Sequence, residues 1–295
     1  MRFRPVWAAA ALSVGVCSCS QKDSGNESNE RRTAEVSDCY EQAGEDFTQP
    51  QTERALFVIV DQSTGLDDHL RETVTENVKR LMQPGTSYAV YTFSAYSKGH
   101  YPTPVASGEL AAPMPDDERP NLSVRRLNRL DQCLVKEAKR VTSEIDDALV
   151  EATGESSSNF ANSEILASLK QMSEAIRKSK AKEKLVVVVS DLLEHSSSTS
   201  FYRNKQVRPI DPKTELEKAE SKGLVADFNG ASVAIVGAGL LSPESGADAT
   251  RDTAALESLH KFWEEWFEAS DANVVQYGQP DLITPLQWGQ SDSDS

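Results

Sequence analysis

Four short runs of the chain are almost continuously apolar: residues 55–60, ended by Asp61, and residues 88–93, 185–189 and 232–236. They are rich in Val, Ile, Phe and Tyr, which is the pattern of strands buried on both faces. A weaker strand signal is the pair Val274-Val275. Between these runs the apolar positions switch to a helical spacing. Leu66, Leu70, Val74, Val78 and Leu81 make one stripe, Ile165, Leu169, Met172 and Ile176 a second, and Leu256, Leu259, Trp263 and Trp266 a third. Further helices are expected over about 132–153 and 214–222. Strands alternating with helices predict a doubly wound α/β fold, a mostly parallel sheet flanked by helices, as a single domain over residues 54–278. Residues 101–121 carry Pro102, Pro104, Pro113, Pro115 and Pro120, so this stretch can at most open with an edge strand before becoming a loop. Beyond Gly278, Pro280, Pro285 and Ser-Asp repeats predict an irregular acidic tail over 279–295. No internal repeat is visible.

The first residues change the picture from a plain globular chain. Arg2 and Arg4 precede an apolar run from Val6 to Val16 that ends in small residues, the layout of a signal peptide over residues 1–18. The run is about half of the roughly 20 residues a spanning helix needs. Val16-Cys17-Ser18-Cys19 resembles the lipobox of bacterial lipoproteins, which implies lipidation of Cys19 rather than Cys17, because Ser18 is small and Val16 is branched. Ser20 after that cysteine resembles lipoproteins sent to the outer membrane, facing the periplasm where the host has two membranes. Residues 19–53 are polar, rich in Ser, Asn, Glu, Gln and Asp, and read as a flexible tether, pinned at Cys39. Of four cysteines, discarding Cys17 and acylating Cys19 leaves Cys39 and Cys133. In an oxidising envelope these form a disulfide, with two separate buried thiols as the alternative.

Composition sets limits. Hydrophobic residues at 38% and charged residues at 26% are near globular averages, so wholesale disorder and a polytopic membrane protein are poor readings. The formal charge of −15 argues against nucleic acid as a partner, since a phosphate backbone needs a basic face. Removal of Arg2 and Arg4 makes the mature chain more acidic still, leaving lipid rather than positive charge as its contact with a membrane.

Candidate chemistry sits where strands end. In an open parallel sheet, ligands bind beyond the carboxyl ends of the strands near the switch in strand order. Two strands end in clusters of acids and hydroxyls, Asp61-Gln62-Ser63-Thr64-Gly65 and Ser190-Asp191-Leu192-Leu193-Glu194. Carboxylate and hydroxyl oxygens suit Mg²⁺, Mn²⁺ or Ca²⁺. The alternative is that Asp61 or Ser63 only caps the following helix. Asp61-Gln-Ser63-Thr-Gly65 after the first strand, Ser163-Glu-Ile-Leu-Ala-Ser-Leu169 opening a middle helix, and Ser190-Asp191 after the next strand together resemble a von Willebrand factor A domain, over about residues 54–278. That family's metal-ion-dependent adhesion site takes an Asp-x-Ser-x-Ser loop, a Thr from a second loop and an Asp from a third, and a partner's carboxylate often completes it. The resemblance implies Asp61 and Ser63 as ligands in the first loop, Ser163 in the Thr position, with Ser157 and Ser158 as rival alignments, and Asp191 in the third. Gly65 departs from the pattern by replacing the second serine. Asp67, Asp68 and Glu194 are candidates for a replacement ligand.

Enzyme signatures are weak by comparison. His69, His100, His195 and His260 lie far apart, without zinc spacing. Ser190, Asp191 and His195 supply the residue types of a hydrolase triad, but no Gly-x-Ser-x-Gly elbow is present. Gly237-Ala-Gly239 lacks the third glycine of a dinucleotide loop. Phe262, Trp263, Trp266 and Phe267 form an aromatic stripe that reads as core, with a groove for a partner helix as the alternative. The expected function is binding of another envelope or extracellular protein by an exported, lipid-anchored, non-enzymatic module. A metal-free structural component of a secretion or conjugation assembly, contacting through residues 101–121, is the second reading, and a metal-dependent hydrolase the third.

Overall fold

β-branched residues crowd the apolar runs, and in the computed structural model of the chain every one of those runs is a strand. Residues 32–33, 39–44, 47–93, 102–154, 163–203, 206–240 and 252–288 are described, all within the unit of residues 31–295. The export signal, Cys17, Cys19, His100, Ser157 and Ser158 lie outside them. In chain order the strands are β1 (Arg32–Thr33), β2 (Arg54–Asp61), β3 (Thr86–Phe93), β4 (Thr103–Leu110), β5 (Glu183–Val189), β6 (Tyr202–Arg203), β7 (Gln206–Val207), β8 (Ala231–Val236) and β9 (Ala272–Tyr277). The helices are α1 (Cys39–Ala43), α2 (Asp68–Leu81), α3 (Val124–Gly154), α4 (Ile165–Lys178), α5 (Pro212–Ser221) and α6 (Thr253–Ala269).

The main sheet runs β1-β4-β3-β2-β5-β8-β9, and β6 pairs only with β7. The strands β3, β2, β5, β8 and β9 are parallel to one another, while β4 is antiparallel to β3 and the short β1 runs parallel to β4. Apart from the two-residue β1, β3 and β4 add outward on one side of β2, and β5, β8 and β9 on the other, which is the doubly wound order with its switch between β2 and β5. Alternation along each strand divides the core. Phe57, Ile59, Val186, Val188, Val233 and Ile235 pack under α4, α5 and α6, while Leu56, Val58, Val60, Leu185, Val187 and Val189 pack under α2 and α3. Each such side chain, removed from water, contributes roughly 1.5–3 kcal/mol against the entropy of ordering the chain. The aromatic stripe of α6 is core: Phe262, Trp263, Trp266 and Phe267 are fully buried.

Three boundaries differ from the sequence reading. Within the stretch assigned to the tether, Cys39, Tyr40, Ala43 and Phe47 are buried against Leu127 and Leu130 of α3 and the Cys39–Cys133 disulfide joins α1 to α3, so the ordered body begins well before residue 54. Leu127 and Leu130 also explain why α3 starts at Val124: α1 gives its first turns an apolar surface to cover. The segment after Gly278 is irregular in backbone but packed. Its Leu286 is 2% exposed, its Leu286 N–H donates to Asn77 Oδ1 at 2.8 Å, and Trp288 Nε1 donates to the Leu81 carbonyl at 3.1 Å. Among the described residues no helix is long and apolar enough to cross a membrane.

Candidate metal centre

The carboxyl ends of β2 and β5, on either side of the switch, hold the first and third loops of the site. Asp61 is the last residue of β2 and 1% exposed. Ser63 turns back on it, with its backbone N–H donating to Asp61 Oδ1 at 2.9 Å and its hydroxyl donating to the same oxygen at 2.5 Å. Ser190, the residue after β5, donates from its hydroxyl to Asp61 Oδ2 at 2.8 Å. Asp61 therefore does not cap α2. Asp67 does, accepting from the Leu70 N–H at 2.9 Å.

The third loop is held from several sides. The Asp191 N–H donates to Thr64 Oγ1 at 3.0 Å, tying it to the first loop, and Asp191 Oδ1 accepts from the Leu193 N–H at 2.9 Å. Leu192 has a φ of 59°, a costly conformation for a leucine, and Trp263 Nε1 secures it by donating to the Leu192 carbonyl at 2.9 Å. Gly237, at the end of β8 with a φ of 96°, lets that strand pass close by: a Cβ there would stand 3.2 Å from the Ser190 carbonyl oxygen. The second loop joins through backbone bonds. The Ser163 N–H donates to the His195 carbonyl and the His195 N–H to the Ser163 carbonyl, each at 2.9 Å, and Ser163 Oγ lies 3.3 Å from Ser63 Oγ.

All four residues singled out in the sequence thus meet at one place: Asp61, Ser63 and Ser163 in a chain of side-chain contacts, and Asp191 beside them across Thr64. The proposed replacements for the serine missing at Gly65 are engaged elsewhere. Asp67 caps α2, Asp68 pairs with Arg71 at 3.3 Å, and Glu194 accepts from the Leu166 N–H at 3.0 Å at the start of α4. Sequence reasoning missed Thr64, Ser190 and Trp263 as supports of the site. Ser190 carried a usable signal, a hydroxyl next to the strand-end Asp191.

Burial raises the pKa of Asp61, opposed by the hydroxyls of Ser63, Ser190 and Thr64. Asp191 is pushed well above the ordinary carboxylate range by burial and then by the neighbouring Asp61 charge. Burial also raises Tyr202, assisted by the charges of Asp191 and Asp61. Among the described residues no Lys or Arg forms an ion pair with either carboxylate. Two buried like charges without a cationic neighbour fit a divalent cation, and the oxygen-only donor set fits Mg²⁺, Mn²⁺ or Ca²⁺ in type. No group of three or more His, Cys, Asp or Glu among the described residues is disposed to hold a metal, and a cation here would need hydroxyl oxygens beside the two carboxylates. The hydrolase constellation is not assembled. The Ser190 hydroxyl is bonded to Asp61 and accepts from the Leu192 N–H at 3.0 Å, while His195 Nδ1 lies 2.7 Å from Ser200 Oγ.

No protein-family model matches the chain, and no curated protein matches it. Among solved structures the chain is similar to an aerotolerance-related membrane protein from Bacteroides fragilis NCTC 9343, at 12% identity over 79% of this chain and 92% of that one, with a TM-score of 0.33. It is similar to the pilus adhesin SpaC from Lactobacillus rhamnosus GG in its open conformation, at 10% identity over 78% of this chain and 28% of that one, with a TM-score of 0.37. A third likeness is to three N-terminal domains of the type V pili tip protein Mfa5 from Porphyromonas gingivalis, at 11% identity over 50% of this chain and 21% of that one, with a TM-score of 0.28. The assignment of the fold rests on the order and direction of the strands, and no residue role is carried over from these proteins.

Proposed function

We propose that the chain is an exported, lipid-anchored protein-binding module of the von Willebrand factor A kind, and that Asp61, Ser63, Ser163 and Asp191 hold a divalent cation at its binding face. The observation that carries this reading is the convergence of two carboxylates and two hydroxyls from three loops at the switch point of the sheet, with no ion pair to either carboxylate from a Lys or Arg among the described residues. A divalent cation there supplies a Lewis-acidic point for an oxygen ligand from outside, such as a carboxylate of a partner protein. Asp61 and Asp191 provide the charge, Ser63 and Ser163 the neutral oxygens, and Ser190 and Thr64 orient the acids. Titrating the soluble chain with Mg²⁺ and Mn²⁺ in a calorimeter, beside Asp61→Ala and Asp191→Ala, tests it. Binding by the wild type that either substitution removes supports the reading; a wild type that takes up neither ion overturns it.

A metal-free contact is the second reading, and a specific observation favours it. Gly65 leaves the set one hydroxyl short, and both Asp61 oxygens already accept hydrogen bonds from protein donors. The contact then falls to residues 101–121, of which Thr103–Leu110 is the strand β4 and residues 115–118 are exposed. Replacing Pro115, Asp116, Asp117 and Glu118 together separates the readings, because it spares the sheet and should abolish partner capture only in the metal-free case.

A further inference from the structure

Glu194 is 1% exposed and joins two of the loops that supply the oxygen donors. Its Oε2 accepts a hydrogen bond from the Leu166 N–H at 3.0 Å, in the first turn of α4. The residue before α4, Glu164, gives that helix no side-chain cap, so its orphan first-turn N–H groups depend on an acceptor from elsewhere in the chain. The next residue along the third loop, His195, makes the two backbone bonds to Ser163. The second loop is therefore fastened to the third at two points three residues apart, by a side chain at Leu166 and by the backbone at Ser163. The hairpin of β6 and β7 backs this clasp. The Phe201 N–H donates to the Glu194 carbonyl at 2.9 Å, and the His195 ring meets Ser200 through Nδ1 at 2.7 Å and Tyr202 edge-on at 5.8 Å.

We propose that Glu194 is a positioning residue of the oxygen-donor ring: it anchors the start of α4 to the third loop and so sets the Ser163 hydroxyl beside Ser63, an inference that rests on the reading of the ring as a cation site. The role needs a hydrogen-bond acceptor at this place, and a negative charge adds nothing to it. Glu194→Gln keeps the acceptor oxygen, whereas Glu194→Met fills the same volume without one. Both variants preserve packing and should fold.

Two measurements on the soluble chain test it: amide hydrogen exchange at Ser163, Leu166 and His195, with the β5 amides as the internal standard of global stability, and the affinity for Mn²⁺ alone. In Glu194→Met the three amides should exchange about tenfold faster with β5 unchanged, and Mn²⁺ should bind about tenfold more weakly, the lower end of what loss of a ligand-orienting contact costs. Glu194→Gln should stay within about twofold of wild type in exchange relative to the β5 amides and in Mn²⁺ affinity, since the acceptor survives. Unchanged exchange in Glu194→Met, equal losses in the two variants, or faster exchange with unaltered Mn²⁺ affinity would each overturn the proposal. A wild type that takes up no Mn²⁺, while exchange still separates Met from Gln, overturns the cation reading alone and leaves the anchoring of Ser163 supported.

Discussion

Asp61 and Asp191 bring two like charges into a site that burial alone makes hostile to either, and each feels the penalty as a raised pKa. A site of this kind trades stability of the empty fold for affinity toward a cation. In the presence of a chelator, Asp191→Asn should therefore stabilise the chain by about 1–2 kcal/mol, because the amide keeps the Oδ1 acceptor for Leu193 and loses the charge, while Mn²⁺ uptake disappears. Thermal melts with chelator beside calorimetric titration check both halves, and a lowered melting temperature would contradict the first. Glu194 gives a separate signature in pH. Burial pushes its carboxyl up to about 7, against the opposing hydrogen bonds from Ser196, Leu166 and Ile165, with the Glu164 charge adding to the rise. The folded chain then keeps a proton that the unfolded chain releases near pH 4.5, so this contribution to stability is full below about 4.5 and is lost as the pH rises through 7. Stability curves of wild type and Glu194→Gln across that window should diverge by about 3 kcal/mol in favour of Gln, and parallel curves would contradict the assignment. At this scale the acids were legible in the sequence because they terminate apolar runs. The roles of Ser190 and Trp263 were not, even though Ser190 stands next to a strand-end acid, because their partners Asp61 and Leu192 lie 129 and 71 positions away along the chain.

The strands and four of the long helices follow from local pattern, since Val186 to Val189 can only be buried on two faces and the α2 stripe can only be buried on one. Short elements escape that logic. α1 has five residues and β6 and β7 two each, too few to show a period, and each exists because tertiary contacts hold it. For α1 the contact is covalent. Closing a loop between positions 94 apart limits the unfolded chain by about 4.5 kcal/mol in the entropy model, of which about 2–4 is commonly realised. Replacing Cys39 and Cys133 together by Ser should lower stability by that smaller amount and free the α1 amides to exchange while β5 stays protected, which denaturation and hydrogen exchange would show. For the hairpin the contact is ionic. Glu215 of α5 is buried, and although burial pushes its carboxyl up, Arg208 at 2.8 Å, Thr199 at 2.6 Å and Lys218 at 3.0 Å outweigh it and hold the pKa below the ordinary value. Arg208→Gln should cost about 2 kcal/mol, less than breaking a lone buried pair because Lys218 and Thr199 remain. A loss under about 0.5 kcal/mol would show that the ion pair does not secure the hairpin segment to α5.

For the molecule as a whole, the acidic balance bears on how it can meet a membrane. With a formal charge of −15, and with Arg2 and Arg4 inside the segment read as a signal peptide, the net charge of the chain opposes attachment to anionic lipid. Electrostatic attachment would in any case be screened beyond about 10 Å at moderate salt. Acyl chains work differently, contributing about 0.8 kcal/mol for each buried methylene group independent of salt. If Cys19 carries them, the full chain expressed in a bacterial host should stay with membranes through a high-salt wash, leave them in detergent, and incorporate labelled palmitate. Cys19→Ser should lose the label and move to the soluble fraction, while Cys17→Ser should do neither. Retention of Cys19→Ser on membranes would place the attachment elsewhere, in a protein partner or another segment, and extraction of the wild type by salt alone would remove the lipid altogether. The outcome also bears on the binding face: a chain held on membranes by a partner at that face, and not by acyl groups, would be released from them by Asp61→Ala.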